Sequence, residues 1–390
     1  MSHAHVSLRR LALPALATML ILFLLPALAA AKQDGSQGKG KVVDVMTRNL
    51  YLGANLTPAI AAPSLPAFIE ANGQILREVT ANDFPTRAEG LAQEILDEKP
   101  DLVGLQEVAL WRTGPPSLAP LLEGPSATTV RYDYLQLLLD ELNEGKGKGG
   151  KGKLRYSVVV SQNEFDLEAP ANENEVAGDG PGGPLANAEV NGRLTMRDVI
   201  LARRGAGVRT WNPQSANFAN PLPVKILGNT APILRGWTAT DAKVRGSHPF
   251  RFVNTHLEAF EPNFRALQAA ELVAPGGPAT SALPVVLLGD LNSDDDTVGP
   301  ADQQAYRVLL AAGMVERSTD DPLSCCLKSS LLAVGEGGGG ADFNHQVDHV
   351  MTRDPEQVTL QSSSVTGLQP VNGFWSSDHA GVFSALRFQR

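Results

Sequence analysis

Five short segments of this chain each close an apolar run with acid, amide or imidazole groups. They run from Thr47 to Asn49 (TRN), Leu105 to Glu107 (LQE), Asn254 to Glu258 (NTHLE), Gly289 to Asn292 (GDLN) and Ser377 to His379 (SDH). Carboxylates and amides are hard oxygen donors of the kind Mg²⁺ or Mn²⁺ takes, and imidazoles move protons near neutral pH. No Cys or His cluster has zinc-ligand spacing. Mg²⁺ takes only one or two protein carboxylates and leaves the rest of its shell to water and phosphate, so a sparse set of this type suits metal-assisted work on a phosphoryl group.

Asp290 and Asn292 stand two residues apart and project to one side if the chain stays extended, so an acid could take a proton from water that the amide positions. Taken alone, GDLN is also ordinary turn chemistry. His256 and His379 each sit at the end of an apolar run, and the pair favours acid–base or phosphate-contact duty over the structural role usual for a single histidine. Asp348 alternates with apolar neighbours and should face away from Val347 and His349. A buried Asp needs a partner, and the His379 ring is a candidate.

These groups need strands to carry them. Val42 to Met46, Leu102 to Leu105, Tyr156 to Val160, Val199 to Ala202, Phe250 to Asn254, Val285 to Leu288, Val347 to Met351 and Val382 to Phe388 read as strands, and polar residues at their ends would gather along one sheet rim. Thr86 and Glu89 form a capping-box pair before a helical face of Leu91, Ala92, Ile95 and Leu96 that Pro100 stops. Further helices fit Tyr134 to Leu142, Asn263 to Val273 and Gln303 to Ala312. The stretch before Pro85 reads as a long connection, and Asn163 to Ala188 as a surface insertion. The five segments span Asn49 to His379, so a domain boundary would cut through one site, and a single domain over residues 42–390 is the simpler organisation.

In this order the segments resemble the endonuclease/exonuclease/phosphatase superfamily, the deoxyribonuclease I-like proteins, over roughly residues 42–388. The resemblance implies an α/β fold, a four-layer α/β/β/α sandwich of two mixed sheets with outer helices, and in-line hydrolysis of a phosphodiester or phosphomonoester. It makes Asn49 and Glu107 metal ligands, with Glu107 the principal carboxylate, and adds Asp378 to the metal or its surrounding network. His256 would contact or protonate the phosphate, Asp290 would orient the attacking water, and Asn292 would help hold it. His379 would act on the phosphate, with Asp348 fixing its ring. Many relatives carry a Gly- or Asn-containing strand start where this chain has Arg197 and Asp198. These two are candidate substrate-side groups, together with Asn254, and a structural ion pair is the equal alternative for the first two. Glu258 could orient His256, but the solvent-facing reading is preferred.

Arg9 and Arg10 followed by an apolar stretch from Leu11 to Ala31 have the layout of a secretory signal peptide, with an uncleaved anchor as the alternative. Residues 32–41 read as a flexible leader, and the expected location is secreted or periplasmic. Loss of the two arginines moves the formal charge from −9 to −11, which excludes nucleic-acid binding by bulk electrostatics. A local cation cluster can still receive phosphate, and Lys146, Lys148, Lys151 and Lys153 are candidates, although a solvated loop is the plainer reading. The favoured partner is a nucleic acid hydrolysed with Mg²⁺ or Mn²⁺, and the sequence points to no obligate protein partner. The rival substrate is a phospholipid, which calls for an apolar element near the site, and Ala59 to Ile69 is the one modest candidate. A silent binding module of the same fold is the third reading. Cys325 and Cys326 are adjacent, and a vicinal disulfide and two free thiols are equal alternatives.

Overall fold

The computed structural model describes residues 41–144, 155–294, 301–318, 323–333, 343–354 and 356–389. The signal segment, the leader up to residue 40 and the four clustered lysines lie outside the described residues. The strands are β1 (Val42–Asn49), β2 (Leu102–Gln106), β3 (Leu110–Gly114), β4 (Thr129–Asp133), β5 (Arg155–Ala171), β6 (Val190–Arg204), β7 (Val208–Asn217), β8 (Leu222–Ile226), β9 (Asn229–Ile233), β10 (Gly236–Val244), β11 (Phe250–His256), β12 (Val285–Asp290), β13 (Val315–Glu316), β14 (Asp348–Thr352), β15 (Val358–Thr366) and β16 (Gly381–Phe388). The helices are α1 (Thr57–Ile60), α2 (Leu65–Ala81), α3 (Phe84–Glu98), α4 (Pro120–Glu123), α5 (Tyr134–Glu144), α6 (Pro262–Val273) and α7 (Gln304–Ala311).

One sheet runs β15-β16-β1-β2-β6-β3-β4 with β5 also paired to β6, and the other runs β13-β14-β12-β11-β10-β7. Each has a parallel pair at its centre, β1 with β2 and β11 with β12. Such strands are covered on both faces and so read as unbroken apolar runs. Val43, Val45, Ile200 and Leu386 of the first sheet meet Phe250, Phe252, Val286 and Leu288 of the second in the interior. Helices α2, α3 and α5 cover the outside of the first sheet. Helices α6 and α7 cover the outside of the second. This is the expected four-layer α/β/β/α sandwich.

The sheets approach closely beneath the site because Gly104 has no side chain. A Cβ there would lie 2.3 Å from Leu288 Cδ1 and 2.5 Å from Asn254 Oδ1. Three expectations need correction. Residues 65–81 are not connection but helix α2, with Phe68, Ile75, Leu76 and Val79 buried and Ser64 capping its start. Helix α3 begins at Phe84, so Thr86 lies inside its first turn and bonds Asp83 Oδ2 at 2.6 Å in place of forming a capping box with Glu89. Residues 163–171 continue β5 rather than starting a surface insertion, with Glu164 and Glu168 turned inward.

Candidate active site

Strand register explains why the polar ends converge. His256 stands opposite Asp290 across the parallel pair, and Asp290 stands opposite Asp348 on the next strand. Three residues opposite one another in a row project to the same face. In the other sheet Asn49 is opposite Gln106, and Glu107 follows at the strand end in a left-handed conformation, φ 53°. The two rows meet at one bond, Asn49 Nδ2 donating to Asp290 Oδ2 at 2.9 Å.

Asp290 is the hub. Its Oδ1 accepts the Asn292 backbone N–H at 2.9 Å, and its Oδ2 lies 3.3 Å from His256 Nε2 and 3.7 Å from His379 Nε2. The two imidazoles differ in charge. His256 Nδ1 lies 3.0 Å from Arg235 Nη1, which can only donate, so Nδ1 accepts and the proton sits on Nε2 facing Asp290. Burial, then the Arg235 charge, pulls the His256 pKa down to about 3, which keeps the ring neutral. Burial also opposes charge on His379. There the Asp348 and Asp290 carboxylates together outweigh it and raise the pKa well above the ordinary imidazole value. Its Nδ1 pairs with Asp348 Oδ2 at 2.8 Å, and Ser324 Oγ donates to the same oxygen at 2.7 Å. As expected, Asp348 and His349 face opposite ways, His349 reaching Glu316 Oε2 at 2.8 Å on the far side of the sheet. Asn292, in the left-handed region at φ 48°, ties its Nδ2 to Leu257 O at 3.0 Å.

Glu107 and Asp378 line a cleft of about 580 Å³ beside this hub. Burial, then the neighbouring Asp378 charge, pushes Glu107 up to about 7, while burial leads the rise of Asp378. Glu107 Oε2 accepts Leu52 N–H at 2.7 Å, and Leu52 O is held in turn by Trp111 Nε1 and Tyr134 Oη. Trp111 is therefore a packing residue, as is Trp375, buried edge-on against Phe343.

The substrate-side candidates do not gather there. Arg197 spends its guanidinium on Val108 O, Ala109 O and Asp133 Oδ1, at 2.9, 3.3 and 2.6 Å, so it holds the loop after Glu107 and pairs with Asp133, not with Asp198. Asp198 is fully buried, and burial pushes its pKa well above the carboxylate range. Asn254 lies between the sheets, bonded to Gln106 Nε2 at 2.6 Å and to Leu105 O at 3.2 Å, because its strand position points inward. Glu258 is not solvent-facing. It is fully buried, accepts Phe260 N–H at 2.8 Å and lies 3.9 Å from Arg235.

Sequence reasoning missed three arginines. Arg235 reaches His256 from the end of the β8–β9 hairpin. Arg87 on α3 is buried and bonds Leu50 O, Tyr51 O, Asn82 O and Ser376 O, which ties the TRN and SDH segments together. Arg48 pairs with Glu94 at 2.9 Å and donates to His379 O. An arginine among polar neighbours reads as a solvated group, so nothing in the local pattern marks these three. Cys325 and Cys326 form a vicinal disulfide, and Cys326 Sγ lies 3.7 Å from His379 Nε2.

A sequence model of the Endonuclease/Exonuclease/phosphatase family matches residues 71–379. The chain belongs to this family. Family members are in general hydrolytic phosphoesterases. Curated protein sequences give no match. Among solved structures, a family member from Bacteroides thetaiotaomicron superposes with a TM-score of 0.51 at 15% identity, covering 90% of this chain and 99% of its own. A mannosyl-6-phosphatase from the same organism gives 0.49 at 15% identity over 89% and 100%. D. rerio TDP2, complexed with a single-strand DNA product, gives 0.46 at 14% identity over 89% and 99%. At these identities the likeness concerns the fold.

Proposed function

We propose that this protein is a secreted, divalent-metal-dependent phosphodiester hydrolase that activates water for in-line attack on phosphorus. The observation that carries this reading is the convergence of Asn49, His256 and His379 on the single carboxylate of Asp290, next to a cleft floored by Glu107 and Asp378. Secretion rests on the Arg9–Arg10 pair and the apolar stretch behind it.

A hard cation fits the donor set. Glu107 and Asp378 are two buried carboxylates that both line the cleft, the Asp378 charge acts on Glu107, and burial, the leading cause of the raised pKa of each, disfavours either charge without a counter-ion. Glu107, Asp378 and the Asn49 side-chain oxygen would hold Mg²⁺ or Mn²⁺. The ion would supply Lewis-acid stabilisation of charge on the phosphoryl oxygens.

The protein's own groups divide the remaining work. Asp290 accepts a proton from the attacking water, whose oxygen bonds to phosphorus as the bond to the leaving oxygen breaks. Neutral His256 and the Asn49 amide donate to Asp290 and fix its orientation. Asn292 presents its amide oxygen to the water. The His379 imidazolium, charged by Asp348, donates from Nε2 to a phosphate oxygen or to the departing group.

Nucleic acid is the first substrate candidate from the sequence. A second reading, a phosphoester with an apolar substituent, is favoured by the make-up of the cleft wall. The test is turnover of bis(p-nitrophenyl) phosphate, plasmid and single-stranded oligonucleotide in Mg²⁺, Mn²⁺ or EDTA. Release of p-nitrophenol that EDTA abolishes is expected. No turnover of any diester with either ion would refute the proposal.

A further inference from the structure

The cleft lining mixes two chemistries, the charged groups of Glu107, Asp378 and Arg235 and an apolar wall of Leu56, Ile60, Phe165, Met196, Ile233 and Phe260. None of these six belongs to the segments that carry the catalytic candidates. They come from α1 and the residue before it, β5, β6, the end of β9 and the loop after β11. Phe260 is 50% exposed at the mouth, and Glu258 holds that loop through the Phe260 N–H. Leu56, Ile60, Phe165 and Ile233 also line a narrower apolar pocket behind the wall, with Val224 and Ile226 of the β8–β9 hairpin and Trp111 beyond them. These four side chains are thus common to the cleft and to the apolar pocket.

A strand of nucleic acid needs a row of cations along its phosphates. Among the described residues, the cations lining this cleft are Arg235 and Lys328, and Arg235 is already engaged by His256 and Glu258. A volume near 580 Å³ falls in the range of roughly 300–1,000 Å³ typical of small-molecule sites. Glu107 and Asp378 share this cleft with the apolar residues, so a substituent of a phosphoester held at those carboxylates has apolar lining within the same cleft, where apolar matter leaves water favourably.

We infer that the cleft is a subsite for an apolar substituent, and that the substrate is a phosphodiester carrying an alkyl or acyl group next to its phosphate. This inference rests on the phosphodiesterase reading for its chemistry and on the cleft wall for its specificity.

The test is a series of p-nitrophenyl phosphodiesters whose second substituent is methyl, butyl or octyl, with the matching alkyl methylphosphonates titrated by calorimetry. The chain length scarcely alters the chemistry at phosphorus, so it reports on the wall. Each methylene buried should raise kcat/KM and affinity about fourfold, the factor that about 0.8 kcal/mol represents. In Ile60→Asn and Phe165→Ser, checked for folding by thermal melting, the slope with chain length should fall. A flat series in the wild type, with turnover that EDTA abolishes, would overturn the subsite and leave the hydrolase standing. A rising phosphonate series with no turnover of any ester would keep the subsite and overturn the hydrolase. Single-stranded oligonucleotide cleaved faster than every alkyl ester, with the alkyl series flat, would transfer the cleft to nucleic acid.

Discussion

Asp348→Asn isolates the charge of one carboxylate while keeping its shape. In the native protein Asp348 Oδ2 receives His379 Nδ1–H at 2.8 Å and Ser324 Oγ–H at 2.7 Å, all within the interior. Burial alone would drive His379 neutral, and the Asp348 and Asp290 charges reverse that. An amide can still accept from Nδ1, but a bond to a charged group, worth about 1.5–3 kcal/mol, becomes a neutral one worth about 0.5–1.5 kcal/mol, a loss of about 1–1.5 kcal/mol. At about 1.4 kcal/mol per tenfold, kcat should fall by roughly five- to tenfold at neutral pH. The sign of the pH effect follows. Wild-type His379 stays protonated through neutral pH, so the rate should not fall there for loss of its proton, whereas in the variant the rate should decline as pH rises across the same range. The assay is kcat for bis(p-nitrophenyl) phosphate from pH 5 to 9 at saturating Mg²⁺, with thermal melting to confirm folding. A variant within threefold of wild type and with an unchanged profile would refute the reasoning.

Three further outcomes are expected. Glu107→Ala should shift the Mg²⁺ dependence of turnover upward by at least about tenfold, read from a metal titration, because a hard carboxylate is removed. Gly104→Val should destabilise the fold by about 1–3 kcal/mol in urea unfolding, since its side chain would strike Leu288 and Asn254 between the sheets. His349 places both ring nitrogens on acceptors, Glu316 Oε2 at 2.8 Å and Ser293 O at 2.9 Å. Although burial opposes its charge, the Glu316 carboxylate and the Ser293 carbonyl raise its pKa. Its stabilisation should be complete below about pH 6.5, the ordinary imidazole value, and lost as pH rises through the higher folded value. A melting temperature that does not fall over that window, in wild type relative to His349→Gln, would count against this.

The central strands were legible because they are buried on both faces and so announce themselves as apolar runs, and the polar residues that end them marked the rim. Register then did what sequence cannot display, placing His256, Asp290 and Asp348 in one row. Helix α2 was obscured because Asn72 and Gly73 interrupt its apolar face, with Asn72 bonding back to Phe68 O and Gly73 packed on the Asn172 backbone. Asn254 lay in the right segment and on the same strand face as His256, but two residues deeper in the strand, where it bonds Gln106 Nε2 and Leu105 O between the sheets. The contributions of Arg87 and Arg235 depend on carbonyls and rings that tertiary folding delivers from segments far apart in sequence, so no local pattern could disclose them. Ala59 to Ile69 was the apolar stretch singled out for a lipid-like substrate, and it does contribute Ile60 to the cleft wall. Of the rest of that wall, Leu56 fell in the expected connection and Phe165 in the expected insertion, while Met196, Ile233 and Phe260 lay in stretches to which no element was assigned.

The central claim is that Asp290, served by the groups around it, takes the proton from water in a metal-dependent phosphodiester hydrolysis. The most direct test is the initial rate on bis(p-nitrophenyl) phosphate in Mg²⁺ for wild type and Asp290→Asn, each with and without EDTA. The account predicts turnover by the wild type that EDTA abolishes, and a loss of about a hundredfold or more in the variant, as expected for a general base. A folded Asp290→Asn protein turning over at close to the wild-type rate, or wild-type turnover indifferent to EDTA, would contradict it.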